Sequence, residues 1–388
     1  MGRAGGALSA VSLEALAAPI ITALLADTGM PASAVEDVIL GNAAGGGGNI
    51  ARLAALEADL PLAIPGMTVD RQCGSGLAAI VTACQLIAGG AGEVFLAGGV
   101  ESVSRAPLRA HRPERASARE VDTGSREKGM RQKDGDGAPL SFYTRARFSP
   151  DKVGDPEMGV AAENVATAFG ITRARQDAFA LESHAKAVAA QSAGLFAAEI
   201  IPLAGLAQDE CPRASTSLEK LAALPPKFVE GGSVTAGNAC PLNDGASVVL
   251  VTSLARARAM KVPFALLFED AATAGVDPNI LGIGPVASTK ALVKRRPDLA
   301  PGYADFIEFN EAFAAQVLAS LDQLAIAPER VNAQGGALAL GHPFGASGAV
   351  LVTRLFHQMK MQPGALGLAM IGIGGGMGIT AAFRAIKP

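Results

Sequence analysis

The feature that most constrains the fold is a pattern that occurs twice. Cys73-Gly74-Ser75-Gly76 opens a small-residue helical pattern from Leu77 to Ala88. Glu93-Val94-Phe95-Leu96-Ala97-Gly98-Gly99 follows as an apolar strand that leaves on glycines. In the last third, Gly341-His342-Pro343-Phe344-Gly345-Ala346-Ser347-Gly348 leads into a second helical pattern, Ala349 to Met359. Gly367-Leu368-Ala369-Met370-Ile371 then gives a second apolar strand, ending in Gly372-Ile373-Gly374-Gly375-Gly376. Continuous apolar strands alternating with helices predict an α/β core with helices on the faces of the sheets. The repetition predicts an internal duplication, with the site between the halves, where a Cys from one meets a His from the other.

Cys73 itself has two readings. A cysteine at a turn that opens a helix sits where backbone N–H groups and the helix dipole stabilise a thiolate. A buried cysteine acting as a small hydrophobe is the commoner case. The remaining cysteines, Cys84, Cys211 and Cys240, are far apart and form no CxxC. That spacing argues against a disulfide framework and a zinc site, and free thiols suggest a reducing, cytoplasmic setting. With 388 residues, 49% of them hydrophobic and 18% charged, the chain can bury large cores. A net charge of −3 suggests neither a nucleic-acid nor a membrane-surface protein. No signal peptide is visible at the start. The most apolar window, Leu77 to Val100, is broken by Gln85, glycines and Glu93, so no membrane span is expected.

Elsewhere, helices are expected over 12–26 with Ser12 as N-cap, and over 52–58, 158–169 and 172–193. Short strands are expected at 38–40, 64–69 and 246–252, with 194–230 irregular and 233–244 a Gly/Asn-rich turn region. Residues 105–157 are polar and rich in Arg, Gly and Pro, too long for an ordinary loop. Their basic residues could meet phosphates or form a solvated, salt-paired surface.

Read in order, these pieces resemble the thiolase family over nearly the whole chain. The resemblance is carried by Cys73-Gly74-Ser75-Gly76-Leu77, Met158-Gly159-Val160-Ala161-Ala162-Glu163-Asn164, Val234-Thr235-Ala236-Gly237-Asn238 and Asn243-Asp244-Gly245-Ala246. It continues in Gly275-Val276-Asp277-Pro278, Gly284-Pro285, Asn310-Glu311-Ala312-Phe313-Ala314, Gly335-Gly336-Ala337, Gly341-His342-Pro343 and Gly374-Gly375-Gly376-Met377-Gly378. It implies a duplicated five-layer α-β-α-β-α fold with an inserted loop domain that binds coenzyme A. The expected division is 1–104 plus 231–253 for the first half, 105–230 for the insert and 254–388 for the second half. A homodimer or homotetramer acting on acyl-CoA thioesters is implied, with no permanently bound cofactor and no metal.

The family roles fall on particular residues. Cys73 resembles the nucleophile that takes an acyl group from a thioester, and His342 the group that activates it. Read alone, His342 is a loop histidine before a proline and Asn310 a turn or cap residue. By resemblance His342, with Asn310 acting through a bound water, donates to the carbonyl oxygen on which enolate charge develops. Losing one such donor typically costs about 100- to 1000-fold. The N–H groups of Cys73 and Gly374 resemble a second oxyanion hole. Arg213 matches the residue that meets the nucleotide end of coenzyme A, while Ala236, Ala239, Cys240, Ala312 and Phe313 match the pantetheine walls.

Four departures stand out. Gly372 occupies the place of the family's second cysteine, the acid/base for the incoming acetyl group, and glycine transfers no proton. His342 or a water in the vacated space is one substitute. Glu157 replaces a histidine near an anionic ligand. Cys240 replaces a pantetheine-facing serine, and is a stray acid/base on the sharper reading. The family's first strand should lie before Gly2. The implied activity is an acyl-CoA C-acyltransferase of acetyl-CoA acetyltransferase or 3-ketoacyl-CoA thiolase type, within fatty acid metabolism. A decarboxylating Claisen enzyme, which needs no α-proton base, and a silent acyl-CoA-binding subunit are the alternatives.

Overall fold

The computed structural model describes residues 1–111, 141–143 and 145–388. Its strands are β1 (Gly2–Arg3), β2 (Asp37–Gly41), β3 (Gly66–Val69), β4 (Val94–Ser102), β5 (Arg109–His111), β6 (Ser141–Tyr143), β7 (Asn243–Thr252), β8 (Ala265–Gly275), β9 (Phe306–Phe309), β10 (Leu366–Ile373) and β11 (Met377–Ile386). Its helices are α1 (Leu13–Thr28), α2 (Ile50–Glu57), α3 (Ser75–Ala88), α4 (Met158–Ala168), α5 (Arg173–Ser192), α6 (Leu218–Ala222), α7 (Leu254–Ala259), α8 (Gly284–Arg295), α9 (Ala314–Leu324), α10 (Ala337–Leu340) and α11 (Phe344–Met359).

Two sheets carry the duplication. The first runs β1-β7-β4-β2-β3 and the second β8-β11-β10-β9. In each, a parallel pair (β2–β4, β9–β10) is followed by two antiparallel ones (β4–β7–β1, β10–β11–β8). β1, with two residues, holds the position that β8 holds with eleven.

Three hydrophobic clusters define the layers. One joins α1 and α2 to the outer face of the first sheet, through Leu16, Ile21, Ala54, Val38 and Leu96. A second places α3 and α11 between the sheets, through Leu77, Ile80, Leu355, Ile39 and Ile371. The third packs α9 and α8 on the outer face of the second sheet, through Val317, Leu321, Leu292, Leu368 and Met370. The order is α-β-α-β-α, as expected.

The central helices are where the sequence was misread. The second was expected to start at Ala349 and starts at Phe344; the first starts at Ser75 rather than Leu77. Their leading glycines serve close approach rather than a turn. A Cβ on Gly76 would stand 2.7 Å from the carbonyl oxygen of Gly345, and one on Gly348 would stand 2.6 Å from Leu77 Cβ. The first turns of α3 and α11 therefore cross backbone to backbone, and α3 follows Cys73 directly while α11 follows His342 closely.

Other corrections are local. β7 begins at Asn243, inside the expected turn region, because Asn243 and Asp244 are buried and bonded: Asn243 Nδ2 donates to the Gly2 carbonyl at 2.9 Å, and Asp244 accepts from Ser104 N at 2.9 Å. α2 starts at Ile50, capped by the Asn49 side chain, and β3 starts at Gly66, after Pro65. The stretch 194–230 holds the short helix α6, capped by Ser217. Ser12 caps α1 as predicted. Most of the basic excursion, 112–140, lies outside the described residues. Among the described residues, no helix is long and apolar enough to cross a membrane.

Candidate active site

The turn carrying Cys73 is tied by its own side chains. Gln72 takes a left-handed φ of 46°. Ser75 Oγ donates to the Gln72 carbonyl at 2.5 Å and accepts from Arg71 N at 2.8 Å. Burial pushes the Cys73 thiol up to about 12. The N–H groups of Gly374 and of Cys73 itself pull the other way, while the charges of Glu101 and Asp70 add to the rise. The resting residue is a thiol.

His342 is positioned by the strand beside it. Its N–H donates to Asn243 Oδ1 at 3.0 Å, and Leu242 forms a bridge with it. Its Nδ1 lies 2.6 Å from Ser347 Oγ, on the first turn of α11. With Ser347 as donor to Nδ1, the ring's proton sits on Nε2, the tautomer that can donate to a substrate oxygen. His342 Nε2 is buried and has no partner among the described residues. Burial also lowers the imidazole from its usual 6.5 to about 4, so it stays neutral at physiological pH.

That shift gives a stability prediction. The unfolded chain takes up a proton at His342 between pH 6.5 and 4, whereas the folded chain does not, so stability falls as pH drops through this window. Relative to His342→Gln, the wild type should lose about 2 kcal/mol between pH 7 and pH 5. Urea melts of both proteins at the two pH values measure it; an unchanged difference would mean that the ring is protonated in place.

Asn310 directly follows β9, its N–H donating to the Met370 carbonyl at 2.9 Å. Its Nδ2 is also buried without a partner among the described residues. The next residue holds the loop: buried Glu311 accepts from Ser183 Oγ at 2.6 Å, Asn332 Nδ2 at 2.7 Å and Leu338 N at 3.1 Å. Against this loop lies the 233–240 turn. Cys240 N donates to the Ala312 carbonyl at 2.9 Å, Ala314 N donates to the Asn238 carbonyl, and Ala239 bridges Phe313. Glu163 of α4 accepts from Ser233 N and Val234 N, and Asn238 Nδ2 donates to Asp177 of α5. Ala239 and Phe313 pack with Ala162, Val234 and Phe228 in a small apolar cluster.

Of the residues predicted for coenzyme A, the fold brings Ala239, Cys240, Ala312 and Phe313 together, while Ala236 is exposed on the turn. Arg213 stands against α5, its backbone N–H and guanidinium on the two ring nitrogens of His184. Glu157 pairs with Arg145 at 3.3 Å, so a cation balances its charge.

The glycine run folds as a tight turn, with φ of 82° at Gly375 and 80° at Gly376. Phe148 lies over it, since a Cβ on Gly374 would stand 2.9 Å from the Phe148 ring. At Gly372 an added Cβ would meet Gln316 Nε2 at 3.3 Å, a tight contact with the movable end of a side chain, and Pro285 Cδ at 3.6 Å and the Gly282 carbonyl at 3.7 Å in ordinary contact. Both amide atoms of Gln316 are buried without partners among the described residues. Sequence reasoning missed Ser347, Asn243, Phe148 and Gln316. Only Ser347, five residues after His342 in a repeated Ser-Gly, carried a readable signal.

Comparison with known proteins agrees with this architecture. The family described as "Thiolase, N-terminal domain" matches residues 1–255, and "Thiolase, C-terminal domain" matches 262–385. The acetyl-CoA acetyltransferase of Pseudomonas aeruginosa is 43% identical over 392 residues, covering 98% of this chain and 95% of its own. VraB of Staphylococcus haemolyticus is 42% identical over 387 residues, covering 99% and 95%. The crystal structure of the Bacillus anthracis acetyl-CoA acetyltransferase superposes with a TM-score of 0.83 at 34% identity, covering 99% of this chain and 96% of that one.

Proposed function

Because the chain belongs to the thiolase family, we propose that it is an acetyl-CoA C-acyltransferase that works through an acyl-Cys73 intermediate. The observation that carries this reading is a pair of buried donors left without partners among the described residues, His342 Nε2 and Asn310 Nδ2. Buried polar groups are almost always satisfied, so a ligand or water is the expected partner. In the proposed cycle, the Cys73 thiolate attacks the thioester carbonyl and the N–H groups of Cys73 and Gly374 hold the oxyanion. His342 Nε2 and a water on Asn310 hold the enolate oxygen of the second acetyl-CoA. Fixed donors in a water-poor site lower the barrier because they need no reorganisation as charge develops.

Coenzyme A lies along Ala236, Ala239, Cys240, Ala312 and Phe313 on this reading, with Arg213 toward the nucleotide. The stretch 105–230 serves as the coenzyme A-binding and assembly insert between the halves 1–104 plus 231–253 and 254–388. The protein works as a cytoplasmic homodimer or homotetramer and holds no permanent cofactor.

Incubation with acetyl-CoA should add one acetyl group, mapped by peptide mass to Cys73. An intact mass without adduct sinks the proposal. Acetoacetyl-CoA should then be cleaved by free CoA. The absence of an ionisable group among the atoms nearest Gly372 favours, as a second reading, decarboxylating condensation. Malonyl-CoA decides it: release of CO2 without acetoacetyl-CoA cleavage selects that reaction.

A further inference from the structure

The second half-reaction needs a group that takes a proton from the α-carbon of a thioester, and the site offers few. Around Gly372 the nearest atoms belong to Gln316, Pro285 and Gly282, none of which ionises usefully. His342 Nε2 is committed as an oxyanion donor, and a nitrogen that donates its proton is not simultaneously a base. Glu101 is saturated by Asn42 Nδ2 and the N–H groups of Ala43, Ala44 and Gly345. Glu311 is likewise held by Ser183, Asn332 and Leu338. Asp70 is exposed and engaged by Gln72.

A further ionisable group stands beside the Asn310 loop. Cys240 is fixed by its backbone to Ala312, two residues from Asn310, while Leu242, two residues further on, bridges His342. Its segment thus runs from the Asn310 loop to His342, between the two enolate donors. We propose that Cys240 is the acid/base of the second half-reaction, a role for a residue that would otherwise only line the pantetheine wall. This rests on the acyl-Cys73 reading above.

The proton count closes. The competent pair holds one proton, with Cys73 as thiolate and Cys240 as thiol. The Cys73 charge pushes Cys240 upward in pKa, together with burial, which keeps the shared proton on Cys240. When the acyl group moves to Cys73, the departing CoA thiolate takes that proton. Cys240 is left as a thiolate facing a neutral thioester, and the Cys73 charge that added to burial in raising its pKa has gone. It then takes an α-proton from the second acetyl-CoA, breaking C–H and forming S–H. The enolate carbon bonds to the acyl carbon, and Cys73 leaves as thiolate, restoring the starting pair. Two acetyl-CoA give acetoacetyl-CoA and CoA.

The test separates the half-reactions. Wild type, Cys240→Ala, Cys240→Ser and the double variant Cys240→Ala/Gly372→Cys are incubated with acetyl-CoA in D2O. Acetylation of Cys73 is read by peptide mass, and α-deuteration of acetyl-CoA by NMR. Both single variants should still reach full acetylation at saturating substrate, more slowly because the departing CoA must take its proton from water, and should exchange at least about 100-fold more slowly, the usual worth of a positioned base. The double variant should regain exchange, since the space beside Gly372 accepts a side chain. Exchange at the wild-type rate in Cys240→Ala overturns the assignment. Loss of acetylation in both single variants overturns it too, because Cys240 would then only shape the pocket. A wild type that takes no acetyl group defeats the proposed function instead, so the two failures are distinguishable.

Discussion

Cys73→Ala should leave the fold intact and remove the acetyl adduct altogether. Acetoacetyl-CoA thiolysis should fall on the order of 10^6-fold, the scale seen when a covalent nucleophile is deleted. The fold should survive because Cys73 precedes α3 and its turn is tied by Ser75 and Arg71 rather than by the sulfur. Losing one sulfur leaves a small gap at a partly exposed position, at the low end of cavity costs. Intact mass after acetyl-CoA treatment and a thermal melt decide between outcomes. A variant that still acquired one acetyl group would move the nucleophile elsewhere. Cys240 would be the first residue to check, since its peptide resolves from that of Cys73.

Gly348→Val should be the most damaging change outside the reacting groups. A Cβ there collides with the Leu77 backbone of α3, and backbone cannot swing aside as a side-chain tip can. Overpacking of this kind costs about 1–3 kcal/mol when the core relaxes around it. Relaxation here means sliding α3 past α11, which moves Cys73 relative to His342. A misplacement of about 1 Å between reacting groups costs about 100-fold. The expected result is a lowered melting temperature together with acetylation of Cys73 slowed by at least that factor. Gly348→Ala should show a smaller form of both effects. Wild-type acetylation in a destabilised Gly348→Val protein would show that the crossing supports stability without setting the site.

How much of this was legible in the sequence differs by element. The duplicated strands were, because buried parallel strands write themselves as apolar runs, as in Val94–Ala97 and Leu368–Ile371. Ser12 was legible as a cap because capping is a local bond to the backbone three residues on. The starts of α3 and α11 were not, since Ser-Gly and Phe-Gly-Ala-Ser-Gly look like turns until another backbone lies against them. Asn243 and Asp244 looked like loop residues for the same reason: a buried polar side chain resembles an exposed one until its partner across the fold is known.

The sequence by itself determined the layered α/β duplication, the family, and the residues proposed to carry the chemistry, Cys73, His342 and Asn310. Each of these is set by local pattern or by the identity of a single side chain. Only the tertiary structure decided that Ile373, beside Gly374, packs on the Cys73 turn, and that Asn243 holds the His342 N–H. It alone left two buried donors unpartnered among the described residues and ran the Cys240 segment from the Asn310 loop to His342. These are relations between residues tens to hundreds of positions apart. They follow from close packing of two helices through glycine, and no local stretch of the chain encodes them.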